Sequence, residues 1–350
     1  GKMISDAVCI EENKTIIEAM QQLDKNTKKI LFVHKNGRLL ASVTDGDIRR
    51  WILRSGDLHA EIRYAANYHP QYLYENQTGQ AAEIMREYTI DAIPVVDAEH
   101  VLKDILFLNN PGMEHPRFEH EIPVVMMAGG LGSRLSPYTS ILPKPLIPIG
   151  EYPIAEHIIR GFCEYGCRRF YMIVNYKRNM IKAYFDDLEK EYSLEFIEEE
   201  KALGTGGGIS LLRGEIDSTF LLTNCDILIN DDLTKACKHH KDAGNLITMI
   251  CSLKNFTIPY GVVDIGENGR IESIREKPNM SFFTNTGCYF VEPEVVEKLA
   301  YNEPADFPDI IGGYINNGKK IGVYPIGEEA WLDMGQFDQM EKMKARLGCQ

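Results

Sequence analysis

No apolar run in this sequence approaches the roughly 18–20 residues that a membrane-spanning helix requires. The charged, apolar and small-residue succession of a secretory signal is missing as well. Both absences make a cytoplasmic protein with no membrane partner the expectation. Positive charge is in short supply: 38 Lys and Arg stand against 51 Asp and Glu, for a formal net charge of −13. That balance argues against non-specific binding to nucleic acid or to an anionic membrane surface. Any phosphate site must then be a local basic pocket in an acidic protein. Cys-x-x-Cys pairs are also absent, and the eight cysteines (Cys9, Cys163, Cys167, Cys225, Cys237, Cys251, Cys288 and Cys349) are scattered. Cys163 and Cys167 fall one helical turn apart, where two buried thiols are expected rather than a metal site. His239 and His240, flanked by Lys238 and Lys241, read as a solvated helix face.

The apolar and charged fractions, 44% and 25%, are those of an ordinary globular protein, and 350 residues suffice for two domains with separate cores. The densest signal is Met126-Met127-Ala128-Gly129-Gly130-Leu131-Gly132-Ser133-Arg134-Leu135, followed by Pro143-Lys144-Pro145. An apolar strand-like run, Ile122 to Met127, ends there in a glycine-rich turn. Glycines let the backbone approach a polyphosphate and aim several N–H groups at it. Arg134 and Lys144 add cations where negative charge would gather. The Gly-Lys-Ser/Thr ending of the P-loop and the spacing of the dinucleotide fingerprint are both missing. The glycines alone would equally suit a tight strand-to-helix turn; the arginine and the Pro-Lys-Pro turn the balance toward phosphate chemistry.

The first 110 or so residues hold a weak internal repeat. Aligning Val33 with Val96, an offset of 63 residues, also pairs Thr15 with Thr78 and Ala19 with Ala82. Each copy reads as a capped helix, an apolar strand, a polar turn and a second strand. In copy one these are Thr15 to Asp24, Ile30 to His34, Lys35 to Arg38 and Leu39 to Thr44; in copy two, Thr78 to Glu87, Ile93 to Val96, Asp97 to His100 and Val101 to Phe107. Thr15 with Glu18 makes a capping box. Half-units of this kind bury their apolar faces against one another. The runs Gly37-Arg38-Leu39-Leu40-Ala41-Ser42-Val43-Thr44-Asp45-Gly46-Asp47-Ile48-Arg49 and Ile90-Asp91-Ala92-Ile93-Pro94-Val95-Val96-Asp97 make the region resemble a tandem pair of cystathionine-β-synthase-type (CBS) domains, each of βαββα type. The resemblance implies that Thr44 and Asp47 grip the ribose of a regulatory nucleotide, a cis-diol that a hydroxyl and a carboxylate can hold. A helix N-cap at Thr44 or Asp45 would explain the same residues. Copy two has Phe107 and Asn110 at the aligned positions, so at most one nucleotide per pair is expected. The pair also suits self-association, and a homodimer is expected.

Asn109-Asn110-Pro111-Gly112, with Pro116 beyond, reads as a linker, giving domains at 1–112 and 121–350 joined by 113–120. Strands are expected at Ile122 to Met127, Phe170 to Val174, Leu194 to Glu198, Phe220 to Thr223 and Leu246 to Cys251, and helices at Ile154 to Glu164, Lys182 to Lys190 and Asp232 to Ala243. Ile154, Ile158 and Phe162 form a core stripe. This alternation predicts an α/β fold with a mostly parallel sheet, whose ligands lie beyond the carboxyl ends of the strands. Phe220-Leu221-Leu222-Thr223-Asn224-Cys225-Asp226 is a buried strand ending in an acid, and Trp331-Leu332-Asp333-Met334-Gly335 supplies a second acid far downstream. Singly, either aspartate suits a cap or a turn. Converging beside a polyphosphate, the two would suit Mg²⁺. Ile274-Arg275-Glu276-Lys277-Pro278 offers a carboxylate for sugar hydroxyls and an ammonium for a phosphate, and Asn285-Thr286-Gly287-Cys288-Tyr289-Phe290 puts small polar groups at a strand start. Leu203-Gly204-Thr205-Gly206-Gly207-Gly208 either lets a planar base lie on backbone or is a flexible loop.

These motifs, in this order, make residues 121 to 345 closely resemble the sugar-1-phosphate nucleotidyltransferases, which have a Rossmann-like fold with a mostly parallel mixed sheet. The resemblance implies that Ala128, Gly129, Gly130, Gly132, Ser133 and Arg134 hold a nucleoside triphosphate, with Lys144 on its phosphates and Gly204, Thr205 and Gly206 bordering the base. It implies Mg²⁺ on Asp226 and Asp333, and the sugar phosphate on Gly261, Glu276, Lys277, Asn285 and Thr286. Arg134, Lys144, Asp226 and Lys277 would be the catalytic set. Within the family the chain most resembles bacterial guanylyltransferases that carry a CBS pair and act with GTP on glucosamine 1-phosphate in legionaminic acid synthesis, with heptose-1-phosphate guanylyltransferases next. Mannose 1-phosphate as acceptor and UTP, CTP or dTTP as donor remain open at this point, as does an inactive nucleotide-sensing regulator. No hexapeptide repeat of the acetyltransferase kind follows.

Overall fold

The computed structural model describes residues 7–26, 28–108 and 116–334. These fall into two compact units, one built from 7–108 with Gly327–Glu329 and the other from 116–326 and 330–334. The expected linker at 109–112 lies outside the described residues.

The smaller unit repeats one motif. β1 (Cys9–Glu11) runs parallel to β2 (Ile30–Lys35), which pairs antiparallel with β3 (Arg38–Thr44). In the second copy β4 (Leu73–Tyr74), β5 (Ala92–Val96) and β6 (Leu102–Phe107) repeat the same order and senses. α1 (Ile16–Lys25) starts at Thr15 in the capping box that the sequence announces, with Glu18 Oε2 accepting from the Thr15 N–H at 2.8 Å. α2 (Asp45–Ser55) starts at Thr44. The expected helix from Thr78 is shorter than read: a 3₁₀ stretch, Glu75–Gln80, leads into α3 (Ala81–Glu87). Gly79 within it weakens continuous α-helix.

The larger unit is organised on seven strands, β7 (Val124–Met127), β10 (Arg169–Val174), β11 (Ser193–Glu198), β12 (Phe220–Asn224), β14 (Ile247–Thr257), β17 (Asn279–Val291) and β18 (Ile321–Ile326). Their order is β11-β10-β7-β12-β17-β14-β18. All neighbours are parallel except β17, which lies antiparallel between β12 and β14. The expected mostly parallel α/β sheet is thus present. Valines, isoleucines and phenylalanines such as Val124, Ile173, Phe220 and Phe290 fill its interior, as suits strands covered on both faces.

Helices pack on it: α5 (Ile154–Glu164), α6 (Arg178–Asp186) and α8 (Leu233–Ala243), then α9 (Pro293–Lys298) and α10 (Phe307–Asn316). α5 has the bounds read from sequence and buries Ile154, Ile158 and Phe162. α6 begins four residues before the expected Lys182, because Ile181 and Phe185 are its buried pair. β14 runs past Cys251 to Thr257, carried by its ladder with β17. Three short antiparallel pairs complete the unit: β8 (Pro148–Ile149) with β9 (Tyr152–Pro153), β13 (Ile227–Ile229) with β19 (Trp331–Asp333), and β15 (Val262–Ile265) with β16 (Ile271–Arg275).

His240 corrects one expectation. It is 1% exposed rather than solvated, bridging Thr248 Oγ1 at 2.7 Å and Glu292 Oε1 at 2.8 Å. Cys167 is buried as expected and its thiol is pushed up to about 12 by burial; Cys163 is only half-buried. Among the described residues no helix is long and apolar enough to cross a membrane.

Candidate active site

The three central parallel strands β10, β7 and β12 end together, and their carboxyl ends carry the loops that form the cleft. Beyond β7 the Ala128 N–H still donates to Ile173 O at 2.8 Å, which holds the start of the glycine turn in sheet register. Gly132 has φ +64°, and a Cβ there would stand 2.8 Å from Thr139 Cγ2 and 3.2 Å from Lys144 Cβ. Only glycine fits that left-handed, crowded position. A 3₁₀ turn, Ser133–Leu135, and α4 (Tyr138–Ile141) follow. Thr139 Oγ1 donates back to Gly132 O at 3.0 Å. From the neighbouring strand end, Lys177 Nζ donates to the carbonyls of Ser140 and Ile141, and Tyr176 Oη donates to Thr139 O. The segment between the glycine turn and Lys144 is therefore tied down at both ends.

β12 delivers Asp226, 5% exposed, into an ion pair with Lys144; their side chains are 8% and 15% exposed. The two remote acids meet through strand pairing. In the β13–β19 ladder Ile227 is the partner of Asp333, and the Met334 N–H donates to Asp226 O at 2.8 Å. Asp226 and Asp333 line one cleft, which has two lobes of about 370 and 240 Å³. The larger lobe is walled by Gly129, Gly130, Gly132, Lys144, Glu199 and Gly204, the smaller by Asn285, Thr286, Gly287 and Asp333. Arg134, Thr205, Asn224 and Asp226 border both.

The run from Leu203 to Gly208 is not an irregular loop. It forms α7 (Gly204–Gly207) and a 3₁₀ turn packed on the start of α10. Thr205 Oγ1 accepts from the Phe307 N–H at 3.0 Å, and the Thr205 N–H donates to Asp306 Oδ1 at 3.1 Å. A Cβ on Gly206 would come within 2.9 Å of Phe307 N, and one on Gly207 within 2.4 Å of Glu303 O. These glycines serve close packing, so Gly206 faces the protein interior while Gly204 and Thr205 face the cleft.

On β17, Thr286 Oγ1 donates to Ile250 O at 2.7 Å, and Asn285 Oδ1 accepts from the Gly287 N–H at 2.8 Å. Gly261, Glu276 and Lys277 gather elsewhere, at the base of the β15–β16 ribbon. A Cβ on Gly261 would meet Glu276 Oε2 at 3.0 Å, and neither these two nor Lys277 is among the residues that wall the cleft. Ala128 and Ser133 flank the glycine turn without lining either lobe. In the smaller unit Thr44 Oγ1 and Asp47 Oδ2 are 2.8 Å apart and the Asp47 N–H donates back to Thr44 Oγ1 at 3.2 Å. Both residues thereby cap α2, the alternative that the sequence left open. Asn110, the copy-two counterpart, lies outside the described residues.

Two polar cleft residues, Asn224 and Glu199, were not singled out from the sequence. Asn224 packs on Gly287, whose φ of +83° and absent Cβ leave room for the amide. Glu199, hidden in the acidic run 198–200, is 4% exposed. Its carboxyl takes hydrogen bonds from Asn175 and the Leu203 N–H, its Oε1 has no partner, and burial raises its pKa. An acidic triplet normally marks a solvated edge, so only the termination of β11 just before it could have flagged Glu199.

Comparisons with known proteins agree with this architecture. A CBS domain family model matches residues 3–54, and a nucleotidyl transferase family model matches residues 123–348. Relatives include a UTP–glucose-1-phosphate uridylyltransferase of Synechocystis, 30% identical over 61% of this chain and 60% of its own length. A bifunctional protein GlmU of Methanococcus maripaludis is 33% identical over 60% and 51%, and a mannose-1-phosphate guanyltransferase of Aspergillus fumigatus 28% over 61% and 60%. The chain thus spans about half to three-fifths of the length of these relatives. The crystal structure of HddC from Yersinia pseudotuberculosis complexed with GMP-PN shares the fold, with a TM-score of 0.51 at 23% identity over 65% of this chain and 99% of that one. With the glycine turn, the Lys144–Asp226 pair and both acids in one cleft, and a family match over residues 123–348, this chain belongs to the nucleotidyl transferase family.

Proposed function

We propose that this chain transfers GMP from GTP to a sugar 1-phosphate, with glucosamine 1-phosphate as acceptor, releasing pyrophosphate and forming a GDP-sugar for legionaminic acid synthesis. The observation that carries the transfer chemistry is the β13–β19 pairing, which sets Asp333 beside Asp226 in the cleft of the glycine turn, Arg134 and Lys144. A sugar-phosphate oxygen attacks the α-phosphorus of the triphosphate, the new P–O bond forms, and the α–β bridging bond breaks with its electrons leaving on pyrophosphate. The nucleophile is anionic at neutral pH, so no general base is needed. The obstacle is bringing two polyanions into line, and the residues act by positioning and by charge neutralisation. The backbone of 129–132 cradles phosphates, and Arg134 and Lys144 bind oxygens that gain charge. Lys277, standing outside the cleft, reaches the acceptor phosphate only after the ribbon base or its own side chain moves.

Two carboxylates facing a phosphate cleft match the donor set of Mg²⁺, which takes one or two protein carboxylates with phosphate oxygens and water. Among the described residues no cluster of three or more His, Cys, Asp or Glu offers a different metal site. Asp226 and Asp333 would hold the ion, which when bound supplies charge neutralisation on the phosphates.

Guanine is favoured by Glu199. The Glu199 side chain stands in the wall of the larger lobe with Oε1 buried against Gly208; turned toward the lobe, its carboxylate would accept from the guanine N1–H and 2-amino groups, a paired donor edge that uracil, thymine and cytosine lack. Pyrophosphate release should be measured with GTP, ITP, UTP, CTP and dTTP against glucosamine, mannose, glucose and heptose 1-phosphates. GTP is expected to lead ITP, which lacks the 2-amino group, and Glu199→Gln should lower kcat/KM for GTP by ~10-fold or more, since hydrogen bonds to charged groups contribute about 1.5–3 kcal/mol. A preference for UTP would overturn the guanine assignment, and no pyrophosphate with any pair would return the chain to a regulatory role. The legionaminic acid setting rests on the joint presence of a CBS domain and the transferase, and acceptor choice is its test.

A further inference from the structure

The β15–β16 ribbon has its apolar side in water. Val263 stands opposite Ile274 and Ile265 opposite Ile271, so the four share one face, and they are 43%, 63%, 72% and 60% exposed. The reverse face is the satisfied one: Asp264 accepts from Ser273 Oγ and from Arg275 Nη2. An isolated two-stranded ribbon normally turns its apolar face onto its own domain. This one does the opposite, and the exposure continues where the ribbon joins the main sheet. Phe256 and Phe282, 54% and 49% exposed, have ring centroids 6.3 Å apart there. Together the six side chains amount to roughly 600 Å² of apolar surface, the upper end of what monomers leave in water and most of the ~800 Å² per partner of a standard interface.

We infer that this face is the docking surface for the same face of a second copy of the chain, related by a two-fold axis. A two-fold contact sets one patch against itself, so each copy supplies the complementary surface and the doubled area reaches the standard size. The charge is also right: the chain carries −13, yet segment 261–278 holds four acids and three bases. The ribbon is thus a nearly neutral part of an acidic molecule, where two copies meet with the least repulsion, and Arg270 and Glu272 flank Ile271 to form a rim of both signs.

The test is the mass of the full chain by sedimentation velocity at tens of micromolar. The wild type is expected to be an even-numbered assembly, and Ile265→Asp combined with Ile271→Asp is expected to halve its mass while pyrophosphate release and far-UV circular dichroism persist. Ile315→Asp, on exposed α10 away from the ribbon, should leave the mass unchanged. If the aspartate pair unfolds the protein, Ile265→Ser with Ile271→Ser replaces it with the same expected halving. A monomeric wild type overturns the proposal. So does a ribbon variant that keeps the wild-type mass, the result if copies join only through the N-terminal unit.

Discussion

Replacing Lys144 by methionine separates two tasks that the ammonium performs. The substitution keeps most of the aliphatic stem and deletes the charge that faces Asp226. Removing one partner of a fully buried pair costs about 3–5 kcal/mol, chiefly because the other charge is left uncompensated. Here the side chains are 15% and 8% exposed at the wall of an open cleft, so water relieves part of that penalty and about 1–3 kcal/mol is expected. For a domain of this size that is a fall in Tm of about 2–10 °C. On the proposed magnesium site, the freed Asp226 carboxylate should bind the ion better than in the wild type, so millimolar MgCl₂ should narrow the deficit. Turnover should still fall by ~10²-fold or more, the usual result of losing a preorganised electrostatic group. Thermal melts with and without MgCl₂ and a coupled pyrophosphate assay measure both. A deficit untouched by magnesium would refute the idea that one carboxylate serves lysine and metal in turn, and near-normal pyrophosphate release would refute the role of Lys144 in transfer.

Three further outcomes follow from the geometry. Because burial raises the Glu199 pKa, the carboxylate that the proposed guanine contact would use is depleted as pH falls through that raised value. KM for GTP should therefore rise in mildly acidic buffer, and Glu199→Gln should flatten the profile; the same raised pKa makes this group's contribution to stability fall as pH increases through it. Gly132→Ala forces a methyl to 2.8 Å from Thr139 Cγ2 at φ +64°, so denaturant titration should show a loss of ~1–2 kcal/mol and kcat/KM for GTP should drop with it. Thr44→Ala removes the α2 cap and should cost ~1 kcal/mol. If a nucleotide acts through Thr44 and Asp47, the variant should also lose any change of turnover produced by AMP, ADP or ATP in the full chain, whereas an effect that survives intact would place the regulatory site elsewhere.

Sequence pattern served best where a single local force decides the outcome. The capping box at Thr15, the stripe of α5 and the apolar strands β7, β10 and β12 are each set by their own residues, and they stand where they were expected. Elements whose form depends on a distant partner were harder. The 13-residue β17 and the extension of β14 sustain each other, and neither half shows the alternation of a free strand. For the glycines of 204–208 a base platform and a flexible loop both stayed open, because nothing nearby in sequence reveals that residues 303–307 press against Gly204, Gly206 and Gly207. His240 resembled surface because its partners Thr248 and Glu292 belong to other elements. In the cleft Arg134, Lys144, Asp226 and Asp333 were legible from chemistry; Asn224 and Glu199 were not, since one follows a generic apolar strand and the other hides in an acidic run.

The ladder that joins Ile227 to Asp333 also has a consequence in time. A ribosome delivers the glycine turn, Lys144 and Asp226 long before it delivers the last acid, with strands β14 to β18 made in between. On the proposed triphosphate and magnesium site, a nascent chain would lack the second carboxylate until β19 pairs with β13. On that reading competence would wait for the β13–β19 pairing, and an unfinished chain would spend no nucleotide.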